Sequence, residues 1–172
     1  GSYTYGHTAH LHAATSVGTG SSQYTAAYDA SGNMTCRAPD SSTTCSGTQT
    51  GQQLTWDNEG RLTAWQNAPS SPTSTDQYLY DGQGNRVEQQ VTSGGTTTTT
   101  VYVGSLESVA TTGGISTTTT YYYADGQRIA LAVNGTLSYL ASDLLGSATE
   151  ALDGSGTPTA SQLYAPYGGV RS

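Results

Sequence analysis

The sequence has no lysine, no phenylalanine, one methionine, two cysteines and five prolines. Without lysine there is no Walker phosphate loop, no Schiff base and no pyridoxal-phosphate linkage. Charge is scarce: five arginines stand against twelve carboxylates, for a net charge of −7, and charged residues make up 10% of the chain. Phosphate neutralisation needs clustered cations, so this balance argues against nucleic acid. It argues equally against anionic membrane surfaces. No apolar run approaches the ~20 residues of a membrane span, so membrane insertion is not expected. There is no CxxC and no second cysteine pair to complete a zinc site. No Gly-x-Ser-x-Gly elbow marks a nucleophile, and no Asp/Glu pair is singled out by its spacing. The expectation is a chain that is not an enzyme, with no catalytic residue, no metal site and no cofactor.

What is present is polar, uncharged and β-branched. Thr, Ser and Gly together fill 73 of 172 positions, and there are 13 tyrosines. Disordered chains combine few apolar residues with high net charge; here both are low, and the composition suits extended sheet. The chain begins at Gly1 rather than Met, which reads as a processed chain, a fragment or a cloning scar at Gly1-Ser2. Cys36 and Cys45 flank a turn-rich octapeptide, Arg-Ala-Pro-Asp-Ser-Ser-Thr-Thr. Two arms of such a loop can bring the Cα atoms within the ~4.4–6.8 Å that a disulfide requires. A ring this short contributes roughly 2–3 kcal/mol. Free thiols and a metal site are the alternatives. A disulfide would fit an extracellular or cell-surface protein.

One short pattern recurs: aromatic, Asp, two residues, Gly, polar, apolar. It occurs at 28–34 (Tyr28-Asp29-Ala30-Ser31-Gly32-Asn33-Met34), at 56–62 (Trp56-Asp57-Asn58-Glu59-Gly60-Arg61-Leu62) and at 80–87 (Tyr80-Asp81 to Gly84-Asn85-Arg86-Val87). A shortened copy lies at 123–129, with Asp125-Gly126, and a trace at Leu152-Asp153-Gly154-Ser155-Gly156. Asp at the first turn position accepts from the backbone two residues on. Gly three residues later takes the left-handed conformation that closes a type I turn with a bulge. Each copy therefore reads as a hairpin tip, turning at Asp29 and Gly32, Asp57 and Gly60, Asp81 and Gly84. The aromatic and the apolar residue sit on opposite arms.

The strongest hairpin signal is Asn134-Gly135 between apolar runs. A two-residue turn there pairs Val133 with Thr136, Ala132 with Leu137 and Leu131 with Ser138. Ile129, Leu131, Val133 and Leu140 then share one face; Ala130, Ala132, Leu137 and Tyr139 share the other. Both faces are apolar, so both call for cover. Residues 96–103 and 117–123 read as further strands, residues 68–76 as a loop, and no segment reads as a convincing helix.

His7, His10 and His12 are the only histidines. In a strand, His10 and His12 would share a face, but no nearby Asp, Glu or Cys completes a metal shell. The loop at Asp81-Gly82-Gln83-Gly84-Asn85 has one carboxylate where a calcium loop needs several. Asn33-Met34-Thr35 and Asn134-Gly135-Thr136 match the N-glycosylation pattern, making Asn33 and Asn134 candidate acceptors. The threonine runs at 96–100 and 117–120 are plain strand or carriers of O-linked sugar.

These motifs resemble bacterial RHS/YD-repeat proteins. The segment 139–172 resembles the RHS-associated core: Asp143-Leu144-Leu145-Gly146-Ser147 is similar to its Asp-His-Leu-Gly-Ser, and Tyr164-Ala165-Pro166-Tyr167-Gly168 to its Tyr-Asp-Pro-Phe/Tyr-Gly. Leu144 stands where that family commonly has His, and Ala165 where it has Asp. The resemblance implies an all-β fold over 1–172, an antiparallel twisted hairpin ribbon as in a spiral β-shell wall, of roughly 10–14 short strands at ~5–6 residues each. In that family the shell often encloses a C-terminal toxin, released by an autoproteolytic segment. The sequence stops at Arg171-Ser172, before such a segment, so neither autoprotease nor toxin is expected within it.

Two functional expectations follow. In the first, the chain is a structural extracellular protein whose open edges pair with further copies into a fibre or surface polymer. In the second, it is one wall segment of a larger RHS shell around a toxin domain, its edges paired by flanking repeats of the same polypeptide.

Overall fold

The structure, a computed structural model, describes residues 2–165 and 168–171, without the side chain of Ser22. It is almost wholly antiparallel sheet. The one helical turn among the described residues is a 3-10 turn at Gly20–Ser22. The chain divides into two compact units, residues 1–99 and 100–172, with the boundary inside a strand.

In the first unit the strands are β1 (Tyr3–Thr4), β2 (Ser16–Val17), β3 (Tyr24–Tyr28), β4 (Met34–Ala38), β5 (Gln52–Trp56), β6 (Leu62–Gln66), β7 (Ser74–Tyr80) and β8 (Arg86–Ser93). Each pairs antiparallel with the next. Strand β9 (Thr96–Val103) carries the boundary. The second unit continues with β10 (Glu107–Thr112), β11 (Ile115–Ala124), β12 (Gln127–Val133), β13 (Thr136–Ser142), β14 (Ala148–Leu152) and β15 (Pro158–Ser161). These too pair only with their sequence neighbours. A separate two-stranded sheet joins β16 (Leu163–Tyr164) and β17 (Val170–Arg171). Seventeen described strands exceed the expected number because four of them are only two residues long.

The hairpin 127–142 has the register written from its turn: Val133 faces Thr136, Ala132 faces Leu137 and Leu131 faces Ser138. Cover is uneven on both apolar faces. Ala130 and Ala132 are buried while Tyr139 on the same face is 45% exposed, and Ile129 and Val133 on the opposite face remain more than a third exposed. One expectation needs correction. The loop before β7 ends earlier than residue 76, because Ser74, Thr75 and Asp76 already pair with Ser93, Thr92 and Val91. The histidine segment is not a strand; residues 5–15 form an irregular loop between β1 and β2.

A layer of single sheet buries little. The buried apolar residues are Ala26, Cys36, Ala38 and Cys45 in the first unit and Ala130 and Ala132 in the second. Cys36, Ala38 and Cys45 form one cluster, with Ala27 packed on it. Cys36 and Cys45 are bonded, with Cα atoms 5.6 Å apart. Gly51 closes this cluster, since a Cβ there would lie 2.7 Å from the Arg37 carbonyl oxygen and 3.1 Å from Cys36 Sγ. Only a residue without a side chain fits that approach.

Candidate functional site

The residues singled out by the repeat gather at hairpin tips. Three successive tips of the first unit join β3 to β4, β5 to β6 and β7 to β8. Each is built the same way. The Asp N–H donates to the carbonyl four residues on, and the Gly N–H donates back to the Asp carbonyl: Asp29 with Asn33 and Gly32, Asp57 with Arg61 and Gly60, Asp81 with Asn85 and Gly84. The Asp carboxylate accepts from two backbone N–H groups, those of Ser31 and Asn33, of Glu59 and Arg61, and of Gln83 and Asn85. Gly60 and Gly84 sit at φ 76° and 87°, where a side chain would clash with the backbone. Register shifts at 27/28, 55/56 and 79/80 mark the bulge at each tip.

These bonds hold the carboxylates in their charged form. The Asn33 and Arg61 N–H groups pull Asp29 and Asp57 below the usual carboxylate range; the Asn85 side chain does so for Asp81. Asp153 is lowered first by the Ser155 hydroxyl, in a tip of the same build. Asp143 caps its tip by accepting from Leu145 and Ser147. At Ala165 the backbone bonds to Gly168 and Gly169 are the same without a carboxylate; Pro166 and Tyr167 of that motif lie outside the described residues. Leu144 and Leu145 are fully exposed on the Asp143 tip. The matching positions of the other tips carry Ala30-Ser31, Asn58-Glu59, Gly82-Gln83 and Gly154-Ser155.

The aromatic residue before each Asp does more than clasp its own hairpin. Trp56 Nε1 donates to the Met34 carbonyl at 2.7 Å, and the Tyr80 hydroxyl donates to the Leu62 carbonyl at 2.8 Å. Met34 and Leu62 are the residues that face Tyr28 and Trp56 across the preceding tips. Each repeat is thus bonded to the one before it at an equivalent carbonyl. Arg61 strengthens the second link: it pairs with Asp57 at 2.7 Å, donates to the Asp81 carbonyl and lies over the Tyr80 ring. Sequence reasoning missed these links because they join residues about twenty apart. Their trace is the absence of phenylalanine: every repeat aromatic carries a donor. The third copy also departs from expectation, since Tyr80 faces Arg86 rather than Val87, and Arg86 lies over Tyr78 instead. Burial first, then the Asp76 carboxylate, pushes the Tyr78 hydroxyl up to about 12.

The remaining candidates fall elsewhere. His10 packs on His7, ring centroids 5.0 Å apart, rather than beside His12. Among the described residues no three His, Cys, Asp or Glu side chains are placed to hold a metal. Of the two glycosylation candidates, Asn33 spends its amide N–H on Asp29, while Asn134 is exposed and accepts from the Thr118 N–H through Oδ1. Asn134 and Gly135 take φ of 48° and 84°, the pair of positive values of a type I′ turn. No helix among the described residues is long and apolar enough to cross a membrane.

No family model and no curated protein matches the sequence. Solved structures do. The Tc holotoxin pore of Photorhabdus luminescens, carrying a TccC3 mutation, superposes at a TM-score of 0.58 with 19% identity over 86% of this chain. Crystal structures of TcdB2-TccC3-Cdc42 and TcdB2-TccC3-TEV superpose at 0.58 and 0.60, with 18% and 19% identity over 87% of this chain. The chain spans about a tenth of the length of each. The likeness is one of fold, and that fold is the antiparallel hairpin ribbon which the resemblance to RHS/YD-repeat proteins implies.

Proposed function

We propose that the chain is a wall segment of an RHS-type β-shell, with residues 1–172 one continuous YD-repeat region and 139–172 its core-like end. Its work is structural, its partners are flanking repeats of the same polypeptide and an enclosed toxin domain, and its place is outside the cell. The observation that carries this is the repeat-to-repeat bond: Trp56 to Met34 and Tyr80 to Leu62 fix each hairpin against the last. A wall that must extend over many repeats needs such a propagating register, as in other repeat architectures. The fold shared with Tc toxin chains ten times longer agrees with it.

The test is the mass of the native polypeptide, by denaturing intact mass of material purified from its source. A chain many times longer than 17.7 kDa supports the wall segment. A mature chain of that mass, sedimenting as polymers, overturns it in favour of a self-assembling fibre.

A further inference from the structure

We propose that Asn134-Gly135 is a site of spontaneous covalent modification, at which the Asn134 side chain closes on the Gly135 nitrogen and alters the tip of the hairpin 127–142. Of the asparagines in the chain, Asn134 is the one followed by glycine. Asn33, Asn58, Asn67 and Asn85 are followed by Met, Glu, Ala and Arg, whose side chains crowd the next backbone nitrogen. Three of these also have their amide nitrogen engaged: Asn33 with Asp29, Asn85 with Asp81 and Asn67 with the Thr73 hydroxyl.

The tip presents the reacting atoms to water. Asn134 is exposed at φ 48°, and Gly135 follows it at φ 84°. A Cβ on Gly135 would meet nothing within 4 Å, and among the described residues no group accepts the Gly135 N–H. One clamp restrains the approach. Asn134 Oδ1 accepts the Thr118 N–H at 2.9 Å, while the Asn134 N–H donates to the Thr118 carbonyl at 2.8 Å. Together these bonds hold Asn134 against β11, so its side chain must leave Thr118 before it turns onto Gly135. Local opening of the clamp therefore sets the rate.

The step needs no reactant besides water. The Gly135 nitrogen gives its proton to solvent and bonds to Asn134 Cγ. The Cγ–Nδ2 bond breaks, and the amide nitrogen takes a proton and leaves as ammonia. Water then opens the five-membered imide at either carbonyl. Attack at Cγ yields aspartate, whose carboxylate still accepts the Thr118 N–H. Attack at the backbone carbon yields isoaspartate, which routes the chain through the side chain and adds a carbon to a two-residue turn. The turn fixes the register of a hairpin, so the pairs Val133–Thr136 and Leu131–Ser138 are lost in that product alone.

The test is incubation of the 172-residue chain at pH 8, folded and in concentrated urea, followed by peptide mapping by mass. Exchange of NH for O at Asn134 is expected in both. It should run roughly twentyfold slower in the folded chain, the factor expected from two hydrogen bonds that must open first. Asn33, Asn58, Asn67 and Asn85 should remain amides when half of Asn134 has converted. Asn134→Asp should keep the Thr118 N–H protected from exchange, whereas the isoaspartate product, separated by reversed-phase chromatography, should lose that protection. Conversion in urea with none in the folded chain, equal rates in the two, earlier conversion at another asparagine, or the same Thr118 protection in both products would overturn the proposal.

Discussion

Between residues 24 and 93 three hairpins turn through Asp-x-x-Gly tips, and between 107 and 142 three turn through two-residue tips at Gly113-Gly114, Asp125-Gly126 and Asn134-Gly135. The longer tips need a carboxylate to hold two N–H groups, and they set a bulge that turns the preceding aromatic toward the neighbouring repeat. The shorter ones match the strand twist unaided; the ladder runs evenly beside Gly113-Gly114 and Asn134-Gly135 and shifts once, between Tyr122 and Tyr123, beside Asp125-Gly126. Lateral order there comes from elsewhere, as when Asn134 exchanges bonds with Thr118 and the Tyr121 hydroxyl meets Ser108. An Asp-x-x-Gly tip thus turns its preceding aromatic into a link to the repeat before it, whereas the Asn134-Gly135 tip reaches its neighbouring strand through Asn134 itself.

The largest expected effect separates the units altogether. Replacing Cys36 and Cys45 together by Ala removes a nine-residue crosslink, worth roughly 2–3 kcal/mol. Exchange protection should fall in the strands of the first unit and stay unchanged in β11 to β13. Equal loss in both would show that the units do not unfold separately.

Next comes the bulge. Gly84→Val meets only the far end of Arg61, 3.9 Å from the new Cβ, so its cost is backbone strain at φ 87°. That amounts to about 1–2 kcal/mol. Gly82→Ala, two residues away at an ordinary φ and in open space, should lie within about 0.5 kcal/mol of wild type. Chemical denaturation of the two variants compares them directly; equal stabilities would remove the bulge from the account.

How much of this was legible depended on range. The Asn134-Gly135 hairpin was written in full register from local chemistry, because a two-residue turn leaves no freedom in pairing. The strand at 96–103 followed from its β-branched run. The β7 start was misplaced because Ser74 and Thr75 have loop composition, yet Asn67 Oδ1 accepts from the Thr73 and Ser74 N–H groups and draws them toward β6. The loop of residues 5–15 carries no local signal of its course, and its anchors at Ala30 and Tyr28 lie beyond any local pattern. The absence of lysine was read as excluded chemistry. Its structural counterpart is that Arg37, Arg61, Arg86 and Arg128 each lie over a tyrosine ring, a use suited to a planar guanidinium.

The link between repeats can be cut by removing its donor. Trp56→Phe removes the donor to the Met34 carbonyl and leaves that oxygen half-buried, at a cost of about 1 kcal/mol. Tyr80→Phe should do the same at Leu62. Tyr139→Phe serves as the contrast: it is 45% exposed on β13, its hydroxyl meets no described partner, and its loss should change stability by less than about 0.5 kcal/mol. Thermal melts of the three variants check this, and an equal shift at Tyr139 would break the distinction between the regions.

The smallest effect is acid. Asp29, Asp57, Asp81 and Asp153 all titrate lower in the folded chain than an ordinary carboxyl, because backbone and side-chain donors hold the charged form. A lowered folded value means that their contribution is fully present above the unfolded carboxyl range, near pH 4. It is lost as pH falls through the lower folded value. The tips at Gly113-Gly114 and Asn134-Gly135 hold their backbone without a carboxylate and should not respond. Amide exchange at pH 5 and pH 2.5, corrected for intrinsic rates, should therefore show the Ser31, Glu59, Gln83 and Ser155 N–H groups losing protection while the Asn134 N–H keeps its bond to Thr118. If Asn134 loses protection in step with them, acid is loosening the whole sheet, and the carboxylate is not what distinguishes one kind of tip from the other.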